Sequence, residues 1–273
     1  MTHSNDTGAV SPPTPSLPYP RHLARFGRIC FGLALVAFGV ASFAVGDFVA
    51  GRAPAWPAGI PGRMAWVYVA FVVLSAAGVA IIRERHAVRG ALVAAAMVFA
   101  WALLRQLPVA MADHQLGGAW TNLGKALALS GGAIGVAASV LLERADVDAR
   151  RAGTLHLIGG CSLGAFLVLA GIQHFLFTQF VATLVPAWIT GATFWTYFAA
   201  VALIAGGIGL VVPRTSRLAA ALVGAMIFTW LLVLHIPRGI AMNNRNEWTA
   251  VIEALAFSGI AFALTARRQQ PRD

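Results

Sequence analysis

Residues 64–82 read MAWVYVAFVVLSAAGVAII, nineteen positions without a charge, closed by Arg63 on one side and Arg83 on the other. At about 1.5 Å per residue, a helix of that length covers nearly the roughly 30 Å hydrocarbon layer of a bilayer. A helix at a protein–water boundary needs a polar face, and this stretch has none. Working outward, similar segments lie near 27–46, 90–111, 120–142, 155–177, 193–212, 217–241 and 248–266. The expected fold is therefore all-α: a polytopic membrane protein of eight transmembrane helices. Composition agrees, since 59% of the 273 residues are apolar and 11% charged, where soluble domains run nearer half and a quarter. Cys30 and Cys161 stand far apart, which excludes a disulfide scaffold and a CxxC redox pair.

The formal charge of +10 would point to nucleic acid in a soluble chain. Its distribution points to lipid instead. Of the 20 Lys and Arg residues, 14 fall in five groups: Arg21, Arg25 and Arg28; Arg83, Arg85 and Arg89; Arg144, Arg150 and Arg151; Arg214 and Arg217; Arg267, Arg268 and Arg272. The groups recur after every second apolar segment, as the positive-inside rule requires of a multi-pass chain. This reading places both termini in the cytoplasm, makes the bilayer the partner and excludes nucleic acid. It divides the chain into a disordered cytoplasmic tail (1–26), a first four-helix unit (27–142), a cytoplasmic linker (143–154), a second four-helix unit (155–266) and a cytoplasmic C-terminal tail (267–273). Five prolines within the first 20 residues argue against order there.

The two units read as copies. FVAGRAPAW (48–56) and FVATLVPAW (180–188) agree at six of nine positions. MVFAW (97–101) answers MIFTW (226–230), and Pro108 and Pro237 each lie seven residues past the tryptophan. WT at 120–121 answers WT at 248–249, and ALALSG (126–131) answers ALAFSG (254–259). Four helices per copy make the copies parallel, so two parallel four-helix bundles related by an axis along the membrane normal are expected. Trp56 and Trp188, in proline-rich loops on the side away from the arginines, are expected as interfacial loop anchors.

The second unit resembles the DoxX-like family of bacterial four-helix membrane proteins. GIQHF (171–175), VPAWITG (185–191), FWTYF (194–198), LHIPR (234–238) and NEWTAVIEALAFSG (246–259) carry the resemblance, in order and spacing across 155–265. It implies a bacterial cytoplasmic (inner) membrane location. It also brings in quinone-coupled oxidation, from which the family takes its name, although most members have no known activity.

An ionisable group at mid-bilayer costs about 2.5–3.5 kcal/mol and needs a partner or a purpose. Gln173 and His174 stand near the outer end of one helix, His235 and Arg238 on another, and Glu247 and Glu253 on the last. His174, His235, Arg238, Glu247 and Glu253 form the candidate polar pocket, expected inside the second bundle alone. The corresponding first-unit positions are Ser42, Gln106 and, for Glu253, Lys125. Three readings stay open: a packing network, a small-ligand or quinone-headgroup pocket in which His235 and Glu253 exchange a proton, and a metal or haem site on His174 and His235. No HExxH or other metal-ligand spacing supports the third. Phosphate-binding loops and nucleophile elbows are absent, and no catalytic residue is identified. The function expected is an accessory or small-ligand-binding membrane subunit. The alternative is the membrane subunit of a quinone-coupled oxidoreductase whose redox partner subunit carries the redox centre.

Overall fold

The computed structural model describes residues 21–56, 59–144 and 147–266. Eight long helices make up the fold: α1 (Arg21–Val45), α2 (Arg63–Ile82), α3 (Ala87–Ala112), α4 (Gly118–Leu142), α5 (Ala149–Leu176), α6 (Ala192–Val211), α7 (Ser216–Met242) and α8 (Arg245–Ala263). Among the described residues there is no strand. Seven of the eight, α1 to α7, are long and apolar enough to cross a membrane by length and composition. The chain has the make-up of a multi-pass membrane protein. The expected tails at 1–20 and 267–273 lie outside the described residues.

Three expected boundaries move. Residues 21–26 belong to α1, not to a tail. The linker shortens to 143–148, because Asp148 caps α5 by accepting a hydrogen bond from the Arg150 N–H at 2.9 Å. On the opposite side α7 meets α8 across only Asn243 and Asn244. Asn243 takes the left-handed conformation (φ 41°) that ends α7, and Asn244 caps α8 by accepting from the Glu247 N–H at 3.0 Å.

Helices adjacent in sequence pack together throughout, and the ends of the chain close the arrangement: α1 lies along α8, and α5 lies along α4. Two five-helix rings result, one of α1, α2, α3, α4 and α8, the other of α4 to α8, sharing a wall where α4 meets α8. The expectation of two self-contained four-helix bundles has to be corrected, because α1 makes its second long contact with α8 and not with α4. Glycines set these contacts. A Cβ on Gly27 would stand 2.5 Å from the Gly259 carbonyl of α8, and one on Gly159 would stand 2.5 Å from the Gly135 Cα of α4. Only hydrogen fits in either place. Gly160 and Gly164, four residues apart on α5, are turned to α6, where they face the Leu210 and Gly207 carbonyls.

The shared wall is the interior of the molecule. From Thr249 to Ala263, α8 buries Glu253, Phe257, Ile260 and nine other residues. A helix so enclosed need not be apolar on every face to be stable, because its neighbours and not lipid surround it. Both α3 and α7 carry a five-residue π-helical stretch, Ala102–Gln106 and Leu231–His235. Each stretch runs up to one residue short of a proline, Pro108 or Pro237. Proline has no N–H to give the carbonyl four residues back, and the widened turn relieves the clash with its ring.

Candidate functional site: a buried ion-pair cluster on the shared wall

Glu253 is 3% exposed on α8. One of its oxygens, Oε2, accepts from Lys125 Nζ of α4 at 2.7 Å and from Arg52 Nε at 3.3 Å. Arg52 also donates through Nη1 to the Asn246 side-chain carbonyl at 2.7 Å. Both cations come from the first half of the chain and the carboxylate from the second. A carboxylate at this depth would be untenable alone, and two cations in contact with it settle the balance.

The placement of Arg52 follows from local structure. Asp47, 2% exposed, closes α1 and accepts from the Phe48 and Trp56 N–H groups at 2.8 and 3.2 Å. That folds the following chain back over the helix ends, through a turn at Ala50–Arg52 in which Gly51 and Arg52 both take left-handed conformations (φ 62° and 53°). Gly51 backs onto Ala126 of α4, so closely that a Cβ there would lie 2.9 Å from the alanine methyl. Gln106, at the end of the π stretch of α3, holds the turn by donating to the Gly51 carbonyl at 2.5 Å. Arg105 clamps the next segment, donating to the Pro54 and Ala55 carbonyls and lying 4.6 Å over the Trp56 ring.

Above Glu253, Arg238 and Glu247 form a bidentate pair at 3.2 and 2.8 Å. His235, at the end of the second π stretch, feels the charges of Lys125, Glu253, Glu247 and Arg52 together. The structure therefore brings together four of the five expected residues: His235, Arg238, Glu247 and Glu253. It does not bring in His174, whose Nδ1 is 2.7 Å from the Ala170 carbonyl of its own helix and which no charged group of the cluster reaches. The neighbouring Gln173 is the working residue there: it donates to the Leu116 carbonyl at 2.7 Å and accepts from Thr121 at 2.8 Å, tying α5 to the start of α4.

Confinement of the site to the second half is overturned as well. Lys125 and Gln106 were missed as members because each was read against its counterpart and not as a partner, and Arg52 because it lies in a loop. A signal existed: Lys125 and Glu253 immediately precede ALALSG and ALAFSG, so they occupy matching positions on the two helices of the shared wall. Of the expected loop anchors, Trp188 is 71% exposed. Trp56 is half-buried and edge-on to Trp101 at 4.8 Å.

Two acceptors of the cluster, Glu253 Oε1 and Gln106 Oε1, are buried with no hydrogen-bond partner among the described residues. An unmet buried acceptor typically costs about 1–3 kcal/mol, and more when charged. The arrangement therefore favours a hydrogen-bond donor arriving from outside, such as a hydroxyl, an ammonium or a water. Among the described residues no group of three or more His, Cys, Asp or Glu is placed to hold a metal ion. Residues 163–256 match a family described as a domain of unknown function (DUF8561). No curated protein and no solved structure matches the chain.

Proposed function

We propose that this chain is an eight-span accessory membrane protein of DoxX-like type, built by duplication of a four-helix unit, that binds a small hydroxyl-bearing ligand at the Glu253 cluster. The observation that carries the binding reading is the unpartnered, buried Oε1 of Glu253, facing away from a carboxylate edge that Lys125 and Arg52 already hold. Duplication is supported by close contacts that repeat at matching positions. Gly32 meets the Gly78 carbonyl as Gly164 meets that of Gly207, and Gly39 meets the Phe71 carbonyl as Gly171 meets that of Ala200. The paired π stretches and the reciprocal contacts of α1 with α8 and α5 with α4 agree with it. Eight spans put both ends of the chain on the arginine side, taken here as the cytoplasmic side of a bacterial inner membrane.

A second reading, the membrane subunit of a quinone-coupled oxidoreductase, is favoured by His235 standing in electrostatic reach of Glu253. A quinol offers the required hydroxyl, and the imidazole and carboxylate are a proton-accepting pair. The redox centre would then belong to a partner subunit.

The test is equilibrium binding of a short-chain hydroquinone to the full chain in nanodiscs. Binding that saturates, and that is lost in Glu253→Gln but kept in Glu247→Gln, supports the assignment. Binding in neither the parent nor the variants overturns it.

A further inference from the structure

The two rings differ at the end where Glu253 sits. The first ring, α1 to α4 with α8, is closed by the segment that follows α1: its turn at Ala50–Arg52 packs on α4 and α8, and Phe48 is 3% exposed. The matching segment after α5, Phe180 to Trp188, is identical at six of nine positions and folds differently. It continues a short helix, Thr178–Ala182, that packs on α5 and α6, and Phe180 is 66% exposed. Thr183, in the place of Gly51, is exposed and donates to the Phe180 carbonyl of its own turn at 2.7 Å. Three substitutions explain the difference. Asp47, Arg105 and Gln106 hold the first segment down, and the residues at their matching positions are Gln179, Leu234 and His235. Neither a carboxylate nor a guanidinium is left in the second half to do the same.

The same difference leaves a charge unmatched. The first segment delivers Arg52 to the shared wall, onto Glu253. The wall residue that matches Glu253 is Lys125, and the residue that matches Arg52 is Leu184. A second-half turn of the same design would bring an acid to Lys125, and leucine brings none. The cluster therefore holds three cations, Arg52, Lys125 and Arg238, against two carboxylates, Glu247 and Glu253. The other acids described at this end are engaged locally: Asp47 on the Phe48 and Trp56 N–H groups and on Arg63, and Asp113 on the Gln115 and Gly117 N–H groups. The Lys125 side chain is 15% exposed and gives one hydrogen bond, to Glu253, where an ammonium has three N–H groups to give. His235 stands within electrostatic reach of it.

We infer that the ligand of the Glu253 cluster is a small hydroxy acid, which enters by the outer end of the second ring and sets its carboxylate against Lys125. The inference rests on the proposal that this cluster binds a hydroxyl-bearing ligand, and it adds the charge of that ligand. A carboxylate at Lys125 balances the third cation and accepts a charge-assisted hydrogen bond. It stands where the first half would put a folded-back turn. A neutral alcohol leaves the excess charge as it is. Lys125 Nζ and Glu253 Oε1 lie on either side of Glu253 Oε2, so the anionic group and the hydroxyl have to be neighbours in the ligand, as they are in a 2-hydroxy acid. No covalent step is involved.

The experiment is equilibrium binding to the full chain in nanodiscs of zwitterionic lipid, with three probes of similar shape. They are mandelate, its neutral amide mandelamide, and phenylacetate, which keeps the carboxylate and lacks the hydroxyl. Mandelate should saturate, and mandelamide should bind about tenfold more weakly, because a charge-assisted hydrogen bond is about twice as strong as a neutral one. Lys125→Met should abolish the preference for acid over amide, and Lys125→Arg should keep it. The comparison of probes on the parent chain needs neither variant to fold. Equal binding of mandelate and mandelamide, or no binding of mandelate where a hydroquinone binds, overturns the inference and leaves the hydroxyl reading of the cluster in place. Phenylacetate binding as tightly as mandelate supports a carboxylate at Lys125 and overturns the hydroxyl reading. No binding of any probe, hydroquinone included, overturns both.

Discussion

Glu253 and Glu247 both stand on α8, both paired with arginine, and their energetics differ because their surroundings do. The Arg238–Glu247 pair keeps contact with solvent, with side-chain exposures of 27% and 13%. A pair of that kind is worth on the order of 1 kcal/mol or less. The Glu253 carboxylate is 4% exposed and has two cations on a single oxygen. Removing its charge strands Lys125 and Arg52 inside the shared wall, and breaking a buried pair from one side costs about 3–5 kcal/mol. Unfolding titrations in mixed micelles should therefore show Glu253→Gln destabilised several-fold more in free energy than Glu247→Gln. Equal costs would mean that the Glu253 cluster is hydrated and carries no special weight. Sequence reading reached Glu253, His235, Arg238 and Glu247 because ionisable groups stand out in apolar helices. It missed Arg52, since an arginine in a loop looks solvated, and only the left-handed turn at Gly51 and Arg52 carries it inward. It included His174 because histidine looks like chemistry, while the Ala170 carbonyl already satisfies it.

Helix existence was legible almost everywhere, since uniformly apolar runs of twenty residues have few alternatives. Helix ends were not. The first turns of α1 and α5 are polar, and polarity at a helix end carries no information about whether the backbone stays helical. The π stretches were legible only through the prolines that follow them, Pro108 and Pro237, because a widened turn leaves no mark on hydropathy. The eighth helix is the element on which topology depends. Its acids, Glu247 and Glu253, set it apart from the seven others, and its burial between α1, α4 and α7 explains how it tolerates them. If α8 crosses the membrane, reporter fusions after Arg214 and after Ala266 must report the same side. Opposite sides would reduce the spans to seven and place α8 outside the bilayer.

At the scale of the whole molecule, the packing of α1 on α8 and of α5 on α4 makes each half incomplete without the other. Neither ring closes from its own four helices. This was not legible in the sequence: a duplicated four-helix unit suggests two closed bundles, and nothing in hydropathy distinguishes α1 beside α4 from α1 beside α8. The glycine contacts decide it, through backbone approach that an aligned pattern of small residues only permits. The shared wall then becomes the place where matching positions of the two halves face each other, and there Lys125 and Glu253 have opposite charge. Their pairing joins the halves and positions the open oxygen of the proposed site. A double-mutant cycle with Lys125→Met, Glu253→Gln and the double variant, read by reversible unfolding in micelles, tests this most directly. Contacting residues in one buried network couple by about 0.5–3 kcal/mol, and a buried ion pair should fall in the upper half of that range, with the double variant recovering much of the loss of either single one. Strict additivity of the two substitutions would contradict the account, because it would mean that Lys125 and Glu253 do not meet.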